Sequence, residues 1–163
     1  MRKEHQIIIF LLLVNIGATF WFGFQKPDST QPTPVQETFK HNLPEIITKE
    51  VVDNIFTKFK LHFNNEDYDE MYNMFGDVTK NQVSKEAANK EFKMLIGFFK
   101  HIESGAYTHS KYISSEGNTS FYQIYYNVSF SQNDLSKQNG YLQITVAVQG
   151  NSYQIYGMRL NNQ

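Results

Sequence analysis

The 163-residue chain has no cysteine, one tryptophan, four prolines and only two arginines, Arg2 and Arg159. Without cysteine there is no disulfide framework, no thiolate metal site, no cysteine nucleophile and no lipidated N-terminal cysteine. With 15 Lys+Arg against 16 Asp+Glu, the net charge is −1, a balance that argues against a nucleic-acid binder, which needs a clustered basic face. Phosphate-loop and Ser-His-Asp patterns are absent as well. No proline follows Pro44, so the later chain is free to run as uninterrupted helix and strand. What is plentiful is apolar: 40% hydrophobic and 15% aromatic residues, enough to build the core of one domain.

The N-terminus carries the longest charge-free run. Residues 1–6 form a short basic stub with Arg2 and Lys3, followed by the 18 uncharged residues Ile7 to Phe24. As a helix that run spans roughly 27 Å, close to the hydrocarbon thickness of a bilayer. The flanking positive charge keeps the stub in the cytoplasm and sends the rest outward. The run ends in Phe20-Trp21-Phe22-Gly23-Phe24, bulky residues that suit an interface anchor better than a cleavage site. Residues 7–24 are therefore expected to be a retained single-pass anchor in a bacterial inner membrane; secretion after cleavage near Ala18 is the alternative. All four prolines (Pro27, Pro32, Pro34, Pro44) fall in or beside residues 25–44, which read as an extended tether. Residues 45–163 then form the extracytoplasmic domain.

Within that domain the periodicity first reads as helix. Val52, Ile55, Phe56, Phe59 and Phe63 recur at steps of three and four. Tyr68, Met71, Tyr72 and Phe75 mark a shorter helix, with Asn64 and Asn65 as caps and Gly76-Asp77 as its end. A third opens at Ser84 with Glu86 in its first turn, carries Ala88, Phe92, Leu95, Ile96, Phe99 and Ile102 inward, and closes at Gly105. Strands follow. Tyr107 to Ile113 is the first; Tyr122, Ile124, Tyr126, Val128 and Phe130 then alternate strictly, as do Leu142, Ile144, Val146 and Val148. A turn at Gly150-Asn151-Ser152 leads into a last strand, Tyr153 to Leu160. Helices followed by one-sided strands predict an α+β fold in which three helices pack on an antiparallel sheet of about four strands.

The segments Asn65-Glu-Asp-Tyr-Asp-Glu-Met-Tyr72, Val83-Ser-Lys-Glu86, Ile96-Gly97 and Gly150-Asn-Ser-Tyr-Gln-Ile-Tyr-Gly157 carry a resemblance. Over Val51 to Leu160 the chain resembles the nuclear transport factor 2-like (cystatin-like) superfamily, closest to small secreted bacterial domains of unknown function. Where those domains often place tryptophan, this chain has Ala87, Ala88 and Tyr153. The resemblance implies a cone of helices on a curved sheet, whose open end in some members holds a small ligand or performs proton transfer. The layout of stub, span, tether and domain is also similar to that of the bridging subunit of type IV secretion systems, although that family's Asn-Pro-x-Gly loop is missing.

Proton transfer needs an imidazole or carboxylate of tuned pKa beside an oxyanion donor. His101, His109, Tyr107, Tyr126 and Tyr156 are of the right type, yet their spacing singles out no dyad and none matches an enzyme motif. His101 and His109 are the weak catalytic candidates. His62, His101 and His109 lack metal-ligand spacing, and Asp67-Tyr-Asp69-Glu70 lacks the glycine of a calcium loop. No metal and no cofactor are expected. Phe56, Phe59, Phe92 and Phe99 would line the cone, or plug it. Eight of the ten tyrosines lie between Tyr107 and Tyr156, and Tyr125, Asn127, Gln143 and Thr145 occupy the odd-numbered strand face, opposite the apolar set. Tyrosine among amides suits adaptable recognition at low entropic cost. The expectation is a non-catalytic binding and assembly module that meets an envelope protein, or a second copy of itself, through that face. A small-ligand or glycan binder using the cone is the first alternative, and a ketosteroid-isomerase-type enzyme the second.

Overall fold

The computed structural model describes residues 43–131 and 137–162. The expected stub, anchor and most of the linker lie outside these residues. Among those described, no helix is long and apolar enough to cross a membrane.

Four helices precede four strands: α1 (Lys49–Asn64), α2 (Tyr68–Asn73), α3 (Asp77–Gln82), α4 (Lys85–Phe99), β1 (His101–Glu116), β2 (Thr119–Ser131), β3 (Lys137–Gln149) and β4 (Ser152–Asn162). The strands form one antiparallel sheet in the order β1-β2-β3-β4. The α+β class and the strand count are as expected. The helix count is one higher, because Gly76 opens α3 as its N-cap instead of only closing the helix before it.

Local chemistry sets the helix ends. The side chains of Thr48, Asp67 and Ser84 accept hydrogen bonds from the N–H groups of Val51, Glu70 and Ala87. Asp67 thus caps α2, whereas Asn65 ends α1 and Asn64 points elsewhere. Helix α4 does not reach Gly105. It stops at Lys100, a non-glycine residue at φ 62°, and the chain becomes sheet at once. His101 and Ile102 therefore belong to β1 and not to the helix expected to run to Gly105.

The apolar stripes close on one another. Val52, Ile55, Phe59 and Phe63 of α1 meet Phe92, Ile96 and Phe99 of α4 over the even-numbered residues of β2 and β3. Each such side chain, taken fully out of water, contributes about 1.5–3 kcal/mol. The Phe99 and Phe130 rings lie 4.7 Å apart and those of Phe75 and Phe92 6.0 Å apart.

Strand β1 departs from period two. Register shifts between Ile102 and Ser104, Tyr107 and His109, and Tyr112 and Ser114 leave Glu103, Thr108 and Ile113 as extra residues. Each bulge reverses which parity faces the core, so Ile102, Gly105, Tyr107, Ser110 and Tyr112 form the inward series. The sheet edges are treated unequally. Beside β4, the Gly76 N–H donates to the Ile155 carbonyl (2.9 Å) and the Thr79 hydroxyl to the Tyr156 carbonyl (2.9 Å). Beside β1, α1 side chains reach the first residues: Asn64 bonds the main chain of Ile102, and Lys60 the Glu103 carbonyl.

Candidate functional site

Two places gather polar and aromatic groups. The first is a groove of about 730 Å3 between α1 and the β1 edge. Phe56, Leu61, Tyr107 and Tyr126 supply apolar surface, while Asp53, Lys60, Asn64 and His101 supply polar groups. Gly105 makes the approach of α1 feasible: a Cβ there would stand 2.2 Å from Phe56 Cζ. The Phe56 ring stacks on Tyr126 at 5.3 Å.

Three of the five proton-transfer candidates, His101, Tyr107 and Tyr126, line this groove, and the polar atoms of each have a partner of their own. The Tyr126 hydroxyl donates to the Val52 carbonyl at 2.8 Å, and burial pushes its pKa well above the ordinary 10.0. The Tyr107 hydroxyl donates to Ser110 Oγ at 3.2 Å. His101 Nε2 lies 3.3 Å from Asn64 Nδ2. Asp53 forms an exposed ion pair with Lys49, one turn back on the helix.

Asn64 has a different task. Its Nδ2 donates to the Ile102 carbonyl (2.9 Å), and its Oδ1 accepts from the Ile102 N–H (2.8 Å). Lys60 Nζ donates to the neighbouring Glu103 carbonyl. The Glu103 carboxyl is held below its ordinary pKa by a hydrogen bond from Ser131, aided by the nearby side chains of His101, Lys137 and Lys60.

Of the four phenylalanines expected in the cavity, Phe59, Phe92 and Phe99 are buried in the core, and only Phe56 borders open space. The space between helices and sheet is filled, not lined.

The second place is the outer sheet face. Tyr125, Asn127, Gln143 and Thr145 lie on it, half-buried or exposed, as their odd numbering implies. Tyr125 pairs with Gln143, and Gln143 with Arg159. His109 joins them. Strict alternation puts His109 on the face of Tyr107, but the bulge at Thr108 turns it outward, against Tyr125. The two rings stack 4.3 Å apart at 10°, and the desolvation lowers the His109 pKa from 6.5. One row, His109–Tyr125–Gln143–Arg159, thus crosses all four strands, roughly 14 Å from end to end. The Tyr125 hydroxyl donates to Gln123 Oε1 (2.7 Å), and its pKa is raised by burial and by Tyr141. Tyr156 is also away from the groove, its ring 5.2 Å from Phe121. Asn127 borders a hollow of about 430 Å3 beside Gly105 and Gly140. No cluster of metal-ligating groups occurs among the described residues.

Alternation reveals the outer face of β2 and β3. The groove has no signal of its own, because Asn64 reads as a cap and Gly105 as a helix stop.

No protein-family model matches the sequence, and no curated protein does. Solved structures do. Aln2 from a Streptomyces species is 10% identical, with 71% of this chain and 92% of its own covered at a TM-score of 0.47. A dehydratase candidate of the NTF2-like family from Streptomyces avermitilis is 11% identical, covering 70% and 94% at 0.46. A cystatin-like-fold protein from Nostoc punctiforme is 11% identical, covering 69% and 88% at 0.45. The matches include proteins of NTF2-like and cystatin-like fold. That is the superfamily the sequence resembles. Identities this low say nothing of activity.

Proposed function

We propose that the chain is a non-catalytic binding module of the bacterial envelope, anchored by residues 7–24, that docks a protein partner through its outer sheet face. The observation behind this reading is the contrast between the two sides of one sheet. The inner side is occupied by aromatic and aliphatic side chains, and its buried tyrosine hydroxyl is committed to the main chain. The outer side presents a half-buried row of ring and amide groups with no carboxylate in it. Tyrosine and amide side chains form many contacts for little lost rotamer freedom, which favours recognition over chemistry.

A second reading, a small-ligand site with or without proton transfer, rests on the groove. Asp53, His101 and Tyr107 all border it. The test separates the two. The full-length protein is extracted in mild detergent from its own membranes, and its native mass is measured with any companion identified. A stoichiometric companion lost from the Tyr125→Ala, Asn127→Ala double variant supports the sheet face. His109→Ala, on the same face, should weaken the complex too. A lone protomer that binds small molecules, with binding lost in Asp53→Asn or His101→Ala, would support the groove instead.

A further inference from the structure

The groove supports a second inference, on residues separate from the outer face. We infer that it receives an extended peptide of a partner protein, which adds to the edge of β1 as a fifth strand.

The backbone argument begins at the hairpin. The two-residue turn at Gly117-Asn118 makes Glu116 and Thr119 a mutually hydrogen-bonded pair. Carried back along β1, with one extra residue at each bulge, the alternation turns the N–H and C=O of Gly105 and Ile102 away from β2. Ile102 shows what this edge accepts. The Asn64 carboxamide bonds both of its outward groups, standing where the peptide unit of an added strand would stand. Three residues further on, Gly105 offers the same pair of groups to the groove, and the helix side there consists of Phe56, Thr57 and Leu61. Leu61 is 53% exposed, an apolar surface beside an edge that can form hydrogen bonds. Strand addition uses this combination: main-chain bonds for affinity and side-chain contacts for choice.

Charge selects the occupant. Asp53 borders one end of the groove and Lys60, with His101, the other. Seven helical residues separate Asp53 from Lys60, about 10 Å, which is about three residues of extended chain. The rest of the sheet is antiparallel, and antiparallel addition is the stronger ladder. A peptide in that direction enters at Asp53 and leaves at Lys60, so it carries a basic residue early, alternating apolar residues, and an acidic residue late. A second copy of β1 fits poorly, because Ser104 to Ser110 has no acidic residue and no lysine or arginine.

The probe is a fluorescein-labelled peptide, Thr-Lys-Val-Thr-Val-Glu-Thr, titrated into the full-length protein in detergent and followed by anisotropy and hydrogen exchange. Saturable binding is expected, with exchange at the Gly105 amide slowed. The charge-reversed peptide, Thr-Glu-Val-Thr-Val-Lys-Thr, should bind about threefold or more weakly. The exchange variant Asp53→Lys, Lys60→Glu, altered only at the groove rim, should invert that preference. N-methylation of alternate peptide nitrogens should abolish binding, while Tyr125→Ala with Asn127→Ala leaves it unchanged. Absence of binding, or equal binding of the N-methylated peptide, would overturn the inference. So would a Gly105 amide already protected in the protein alone, which would mean that the chain itself or a second copy fills the edge.

Discussion

At Gly105 a hydrogen atom stands where any other residue would drive a methyl group into the Phe56 ring, which is already stacked on Tyr126. Gly140 is more constrained, since its Cβ would stand 2.1 Å from the Asn161 carbonyl oxygen, a main-chain atom of the paired strand. An aromatic ring gives way more easily than a ladder. Gly105→Ala should therefore destabilise by about 1–3 kcal/mol, and Gly140→Ala by more, as urea midpoints would show. Tyr126 makes stability depend on alkaline pH. Its folded pKa is raised, so above the unfolded value of 10.0 the unfolded chain loses a proton that the folded chain keeps. Stability should thus be level below about pH 9.5 and fall as pH rises past 10, with the fall reduced in Tyr126→Phe. His109 behaves in the opposite sense. Its folded pKa is lowered, so proton NMR should find it below 6.5, and Tyr125→Ala should bring it back up.

Between elements, the α1–β1 joint concentrates the most consequence in the fewest atoms. Replacing Asn64 by leucine strips partners from both main-chain groups of Ile102, a fully buried residue, and should cost about 2–3 kcal/mol with no change in the α1 stripe. The turn from α4 into β1 carries strain at Lys100, whose φ of 62° disfavours any side chain. Lys100→Gly should raise the midpoint temperature, by about 1 kcal/mol of relief. These two positions also explain where sequence reading stops. The α1 stripe and the alternation of β2, β3 and β4 are legible because regular elements with one buried face repeat at a fixed period. The end of α4 is not, because a lysine in a glycine's conformation leaves no mark in the sequence. The bulges of β1 replace period two with steps of three and two. Alternation accordingly groups His109 with Tyr107 although it lies behind the sheet with Tyr125, and half the strand goes unread.

For the molecule as a whole, the two candidate surfaces use opposite properties of one sheet. The outer face offers side chains, and the β1 edge offers main chain, so substitutions on one should leave the other unaffected. This independence is not visible in the sequence, which offers an outer face and a cone. Three of the side chains expected to line the cone, Phe59, Phe92 and Phe99, are instead buried in the core.

The cover over β4 reaches beyond stability. Gly76 and Thr79 occupy the Ile155 and Tyr156 carbonyls along that margin, so a strand could add at this stretch only by displacing them. Molecules open at both margins could polymerise without limit. The small α3 helix, unremarked in the sequence, thus makes the middle of β4 a poor place for one molecule to add to the next.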